Sequence, residues 1–357
     1  MDKDGCYTNQ KPVKLIKHLN QDQVLDLYYN VMCSYPPIRV LERIEFENKL
    51  SKEQVDEEYL ALFYAIRTLC EQRMEMVDAA EESMELSKSA LGKIYYDHTN
   101  AFVVFSYAYL SVYEAGCGRL QDAKLCMSIV VKYIDEMKGR TDKANNVLLL
   151  RKLFGMVTMS CVDQDVLSHF KLWPITFEKF FGTQLPQDWN NVLQQEVTES
   201  NYKCFMNITN IIEKLLHDMD YLPSACEPTL NLKQKIIFPS MCNGLKVAVL
   251  ERSGKEREKM EKFALNITKI ADSDLFPFAP SSIVPYFVLV GKVHLDIAKS
   301  IQSGERMETD VSYQEILQKD LLALQSLGRK YTRVEKFHKE LLDEITHVLA
   351  LYKTTTK

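Results

Sequence analysis

Nine helix-length apolar stripes run along this chain with almost no strand-like alternation between them, and that periodicity fixes the fold class before any residue is weighed for chemistry. Val24, Leu27, Tyr28, Val31, Met32 and Tyr35 return every three or four positions, the spacing that lines one face of a helix, and Pro36-Pro37 ends the run by removing donors. Tyr59, Leu62, Phe63, Ile66, Leu69 and Cys70 repeat the pattern. So do Ala80, Met84, Ser87, Leu91, Ile94 and Tyr95, and then Leu120, Ala123, Met127, Val130, Ile134 and Met137. Only 12 Gly and 11 Pro punctuate 357 residues, so long helices with short joins are expected. The fold class is all-α, a large multi-helix domain of packed helical hairpins.

Two stretches, Ala101 to Ala115 and Val147 to Cys161, are apolar nearly all round, which predicts inner helices surrounded by their neighbours. An effector pocket in such a body should lie against them, and Phe105, Tyr109, Val157 and Cys161 are the expected lining. Trp173 to Trp189, with Gly182 and Pro186 among its aromatics, reads as an irregular packed loop. Met260 to Ala271 opens the last third, and amphipathic helices near 313 to 328 and 332 to 352 close the chain. No linker of disordered composition divides the body. The expected organisation is an extension at 1–20, one helical domain at 21–352, with room for two lobes meeting near 173–200, and a tail at 353–357.

Composition bounds the function. A net charge of −5 argues against a chain that wraps nucleic acid by bulk electrostatics, because neutralising phosphates needs clustered Lys and Arg. Nine cysteines, odd in number and without close pairs, suit a reducing compartment more than a disulfide framework. The start MDKDGCYTNQKPVK carries no apolar core, so no secretory signal is expected. Val147 to Val162 and Ile283 to Ala298, the longest apolar stretches, are interrupted by Arg151 and Lys152 and by Pro285, Lys292 and His294, so no membrane span is expected.

Chemistry is hard to place. Seven histidines are scattered singly, with no HExxH and no CxxC, so no metal site is expected and no metal or organic cofactor is assigned. Gly116-Cys117-Gly118 lacks the lysine and the preceding strand of a phosphate loop and reads as a turn between helices. No GxSxG elbow is present. Cys161, Asp163, Asp165 and His169 form one cluster, with 161, 165 and 169 on one helix face, and a packed thiol among surface polar groups explains it better than a metal or thiol site. No catalytic residue is assigned and no enzyme is expected. The charge run Glu251 to Lys262 reads as a solvated loop and first helical turn. Tyr109, Gly116 and Ala123 fall as in one tetratricopeptide unit, but no second copy follows at that period.

One resemblance reaches further than these patterns. Leu25, Leu27, Tyr28 and Tyr29, then Tyr35, Pro36, Pro37, Ile38 and Phe46, stand in the order of a helix, a Phe-Pro motif and a short stretch, with an arginine-bearing turn, ending in a buried phenylalanine. Leu62, Tyr64, Ala65, Ile66 and Leu69, a glycine-turned helix pair at Ala101 to Met137, and Val293-His294-Leu295 follow in order, with Phe154, Asp163 and Trp173-Pro174 as looser counterparts. This sequence resembles the regulatory domain, or middle homology region, of fungal zinc-cluster transcription factors. Members carry a binuclear zinc cluster that grips DNA; here Cys6 stands alone, so no DNA-binding residue is assigned. The resemblance implies an all-helical transcription-regulatory domain acting through a small-molecule effector, a transcriptional co-regulator or a DNA-binding partner protein. It implies residence in the nucleus or cytoplasm, with no membrane, no direct nucleic-acid contact by this chain, and homodimerisation left open. The competing reading is a cytosolic helical scaffold or adaptor unrelated to transcription.

Overall fold

The structure, a computed structural model, describes residues 16–32, 40–94, 99–137, 139–151, 165–181, 184–218, 232–307 and 311–355, and among them every regular element is helical. The helices are α1 Gln21–Asn30, α2 Arg43–Leu50, α3 Glu57–Arg73, α4 Val77–Lys93, α5 Ala101–Gly116, α6 Leu120–Glu136, α7 Ser168–Phe181, α8 Gln187–Leu193, α9 Tyr202–Asp218, α10 Phe238–Ser253, α11 Arg257–Ile270, α12 Val284–Gln302, α13 Tyr313–Lys330 and α14 Arg333–Thr355. Asn20 caps α1 with a reciprocal box to Gln23, and Asn100 caps α5. Two expectations are corrected. The turn expected to end at Phe46 gives way at Arg43 to the helix α2, which contains Phe46. The stretch after Trp173 is helical through Phe181 and again from Gln187, because apolar packing of Phe170 and Trp173 outweighs Pro174 inside α7.

The four helices α3 to α6 form two copies of one hairpin. Val77 and Lys93 bound α4, Leu120 and Glu136 bound α6, and the shift is 43 residues at both ends. The turns match in detail: Met76 and Arg119 both hold φ −93°, ψ 64°. Each donates its N–H at 2.9 Å to the glutamate five residues back, Glu71 or Glu114. The left-handed position is Glu75 (φ 62°) in the first copy and Gly118 (φ 68°) in the second. Ala80 and Ala123, both 0% exposed, sit at the same register on the second helix of each hairpin. A period of 43 is not the tetratricopeptide period, which is why the search for that period finds one copy.

Burial divides the helices between two cores. One gathers Val24 to Leu150 around α1, α3, α5 and α6, and the other gathers Val166 to Leu349 around α10, α12 and α13. Trp173, Leu185, Leu193 and Val197, from the stretch where the sequence suggests a junction, lie within the second core. The cores meet at a polar seam built on the two hairpin turns. Arg73 Nη1 donates to Phe278 O at 2.7 Å and Arg329 pairs with Glu75 at 2.8 Å, while beside them, within the second lobe, buried Lys330 donates to Pro277 O at 2.6 Å. Lys336 donates to Gly118 O at 3.2 Å, and a Cβ at Gly118 would stand 2.7 Å from the Phe337 ring. Lys336 thus meets the carbonyl end of α5, where the helix dipole is negative.

Among the described residues one helix, Ser281–Gln302, is long and apolar enough to cross a membrane by length and composition, and 78% of its most apolar window is buried inside the protein. That burial makes it the central helix of the second core. Gly244 on α10 lets it come close: a Cβ there would stand 2.3 Å from Tyr286 Cδ1.

Candidate functional site

The residues expected to line an effector pocket are not brought together around a described opening. Phe105 is 0% exposed in the first core, and Tyr109, also buried, shares a 2.8 Å hydrogen bond between its hydroxyl and that of Tyr28, which ties α5 to α1. Val157 and Cys161 lie outside the described residues, as does Asp163 of the acidic cluster. His169 from that cluster is buried, with its Nδ1 3.0 Å from the Tyr286 hydroxyl, and Asp165 stands apart from it at the surface. Among the described residues no group of three or more His, Cys, Asp or Glu could hold a metal ion.

An opening does exist in the second lobe, where α7, α10 and α12 diverge. It is a cleft of about 240 Å³. Each helix supplies one face at helical spacing: Ala248, Glu251 and Arg252 from α10, and Pro285, Val288, Leu289 and Lys292 from α12. Asp165, Val166 and Leu167, at the entry to α7, close the third side. The three helices are held in this splay from beneath, by the Tyr286 ring seated against Gly244 and by the Tyr286 hydroxyl on His169. Aliphatic wall and charged rim therefore face the same space.

The rim is charge-balanced but only half paired. Arg252 Nη2 lies 3.8 Å from Asp165 Oδ2. Glu251 and Lys292 make neither a hydrogen bond nor an ion pair with their side chains among the described residues. Although Glu251 is open to solvent, crowding of its carboxyl by surrounding protein raises its pKa above the usual carboxylate range; Asp296 adds to the rise, and Lys292 and Arg252 oppose it. In the sequence Glu251 and Arg252 open a charge run that looks like plain solvated surface, so local pattern does not mark this site. Lys292 is an interruption in an apolar stripe, and that was the available signal: a charge on the face of a core helix needs an opening to reach.

A second polar cluster is fully enclosed. His294 Nδ1 lies 2.7 Å from Asp320 Oδ2, and Thr268 Oγ1 donates to the other oxygen at 2.6 Å, with all three residues at most 3% exposed. Among the described residues Nε2 of His294 has no hydrogen-bond partner. The cluster ties α11, α12 and α13 together with both carboxylate oxygens satisfied. In the first lobe, buried Glu71 accepts from His18, from the Leu19 N–H and from Ser83, and so fastens the segment before α1. Its counterpart in the repeat, Glu114, pairs with Lys88 and Arg119. Comparison of the chain with family models, with curated proteins and with solved structures finds no match.

Proposed function

We propose that this chain is a transcription-regulatory helical domain that acts through a small effector, a protein partner or both, and that leaves DNA contact to another module. The observation that carries the reading is the packing of the stretch that resembles the zinc-cluster regulatory domain. Leu25, Tyr28 and Tyr29 are buried in one core, the Tyr29 hydroxyl donates to Leu41 O at 2.8 Å, and Phe46, the residue the resemblance makes a buried phenylalanine, is 1% exposed. The α7–α10–α12 cleft gives an effector a place to sit, and the polar seam gives two lobes a joint that an effector can bias.

The test is a reporter assay with the chain fused to a heterologous DNA-binding module. Activation or repression above that of the module alone supports the reading. An inert fusion, expressed and in the nucleus, overturns it. So does sequence-selective binding of duplex DNA by the purified chain, which would put the reading module inside this sequence. The scaffold reading draws on the 43-residue hairpin repeat, since stacked hairpins present extended surfaces. An inert nuclear fusion together with a stable stoichiometric complex recovered from cells would favour it.

A further inference from the structure

The α7–α10–α12 cleft holds two opposite charges, Glu251 and Lys292, that have no ion-pair or hydrogen-bond partner among the described residues, above a wall made by Leu167, Ala248, Val288 and Leu289. We propose that this cleft binds a small zwitterion with an apolar body, an amino acid with an apolar side chain, its ammonium on Glu251 and its carboxylate on Lys292. The inference rests on the effector reading above and names the effector's chemistry.

The argument is one of elimination among ligand charges. Asp165 and Arg252 form an exposed ion pair at 3.8 Å, whereas Glu251 and Lys292 have no ion-pair partner among the described residues, so the charges least engaged on the rim are one carboxylate and one ammonium. An anion would satisfy Lys292 and be repelled by Glu251, whose carboxyl is crowded by protein and faces Asp296 as well. A cation would satisfy Glu251 and be repelled by Lys292. A neutral apolar body would shield both charges from water without pairing either, which is costly. A zwitterion meets both, and its body covers the aliphatic wall. Size points the same way: at about 240 Å³ the cleft is smaller than the roughly 300–1,000 Å³ of sites for drug-sized ligands. The Gly244–Tyr286–His169 support beneath it keeps the three faces apart before any ligand arrives, so little ordering is needed on binding.

The experiment uses the full chain and titration calorimetry, with heteronuclear NMR for weak binding. The probes are L-leucine and L-phenylalanine, and two fragments of leucine, 4-methylpentanoic acid, which lacks the ammonium, and 3-methylbutylamine, which lacks the carboxylate. The expected result is saturable binding of at least one amino acid, with both fragments weaker by about tenfold or more. Glu251→Gln and Lys292→Met, both at exposed positions, should each weaken the amino acid by a similar factor while their circular dichroism melts stay at the wild-type temperature. The inference is overturned if neither amino acid saturates the protein at tens of millimolar, if either fragment binds as well as the whole, or if folded variants bind like wild type. The fragment comparison uses wild-type protein only, so it decides even where a variant fails to fold. Binding is read on the purified chain and regulation in the reporter assay, so failure of this inference and failure of the transcriptional reading appear in different experiments.

Discussion

Replacing Gly244 with Ala sets two physical effects of opposite sign against each other. In the interior of α10 the substitution should stabilise by about 1 kcal/mol from helix propensity alone. Against this, the new Cβ would stand 2.3, 2.8 and 2.9 Å from Cδ1, Cγ and Cβ of Tyr286. These atoms are at the root of the side chain, so the ring cannot swing aside; α12 must move or Tyr286 must leave its rotamer. Overpacking of that kind costs about 1–3 kcal/mol. The displaced hydroxyl also gives up its 3.0 Å contact with His169, worth about 0.5–1.5 kcal/mol. The balance is a net loss of about 2 kcal/mol, give or take 1.5. Urea unfolding read by tryptophan fluorescence is the assay, because the chain has only Trp173 and Trp189, the first in the second core and the second packed against it. Tyr286→Ala removes the Cγ and Cδ1 that the new Cβ meets, so it should cost less on the Gly244→Ala background than on wild type, by about the overpacking cost. A rise in stability by the propensity increment would refute the close approach of α10 and α12, and with it the support claimed for the cleft.

Other perturbations reach other parts of the molecule. Phe105→Ala should cost about 3–5 kcal/mol, seen by circular dichroism before tryptophan fluorescence reports it, because Phe105 is fully buried in the core that holds no tryptophan; coincident transitions at the wild-type midpoint would refute its placement. His338, beside the bend of α14, is pushed down to about 4 by burial, with Lys292 and Arg333 adding to the shift. The unfolded chain therefore takes the proton first, near pH 6.5, so stability should fall by up to about 3 kcal/mol as pH drops from 6.5 to 4. His338→Gln should flatten that part of the pH profile, and an unchanged slope would refute the assignment. Gly118→Ala adds left-handed strain at φ 68° to a 2.7 Å clash with Phe337, so it should loosen the seam by about 1–3 kcal/mol. The expected sign is wider separation of the dichroism and fluorescence transitions, and transitions that stay together would refute the seam as the joint.

Helices were legible wherever one face is apolar and the other polar. The stripe from Tyr313 to Leu327 and the Tyr59–Cys70 stripe both appear as helices close to their expected bounds, because period and burial agree there. The failures have identifiable causes. Pro174 and the aromatics after it suggested a loop, yet Trp173 is 3% exposed, and packing decides against local propensity. The hairpin repeat was hidden because its copies share a backbone and a few register positions, such as Glu71 with Glu114 and Ala80 with Ala123, while most side chains differ. The same turn even uses Glu75 where its counterpart uses Gly118, so the glycine that marks one copy is missing from the other. The cleft was beyond reach for a different reason. It depends on two faces, at 248–252 and 285–292, whose approach is set by Gly244 and Tyr286, and no local pattern states that those two positions touch.

The seam decides how an event in one lobe can be felt in the other. The side chains named across it are mainly cations: Arg73, Arg329 and Lys336 on carbonyls or on Glu75. Opening it exchanges these contacts for water, whereas opening either core exposes apolar side chains that water cannot satisfy. Relative movement of the lobes therefore exposes less apolar surface than opening either core would. Lys330 stays within the second lobe, its head on the Pro277 carbonyl and its pKa pushed down to about 8 by burial. An effector in the second-lobe cleft has a short route to this joint. Lys292 on the cleft rim acts electrostatically on His338 near the start of α14, and the same stretch of α14 presents Lys336 and Phe337 to the turn at Gly118. Pairing Lys292 with a ligand carboxylate would relieve a cation's pressure on His338, so ligand charge and the docking of α14 share one set of neighbours. Coupling of this kind is reciprocal: a variant that loosens the seam at Gly118 would change the cleft's affinity by at most the factor by which ligand changes the docking.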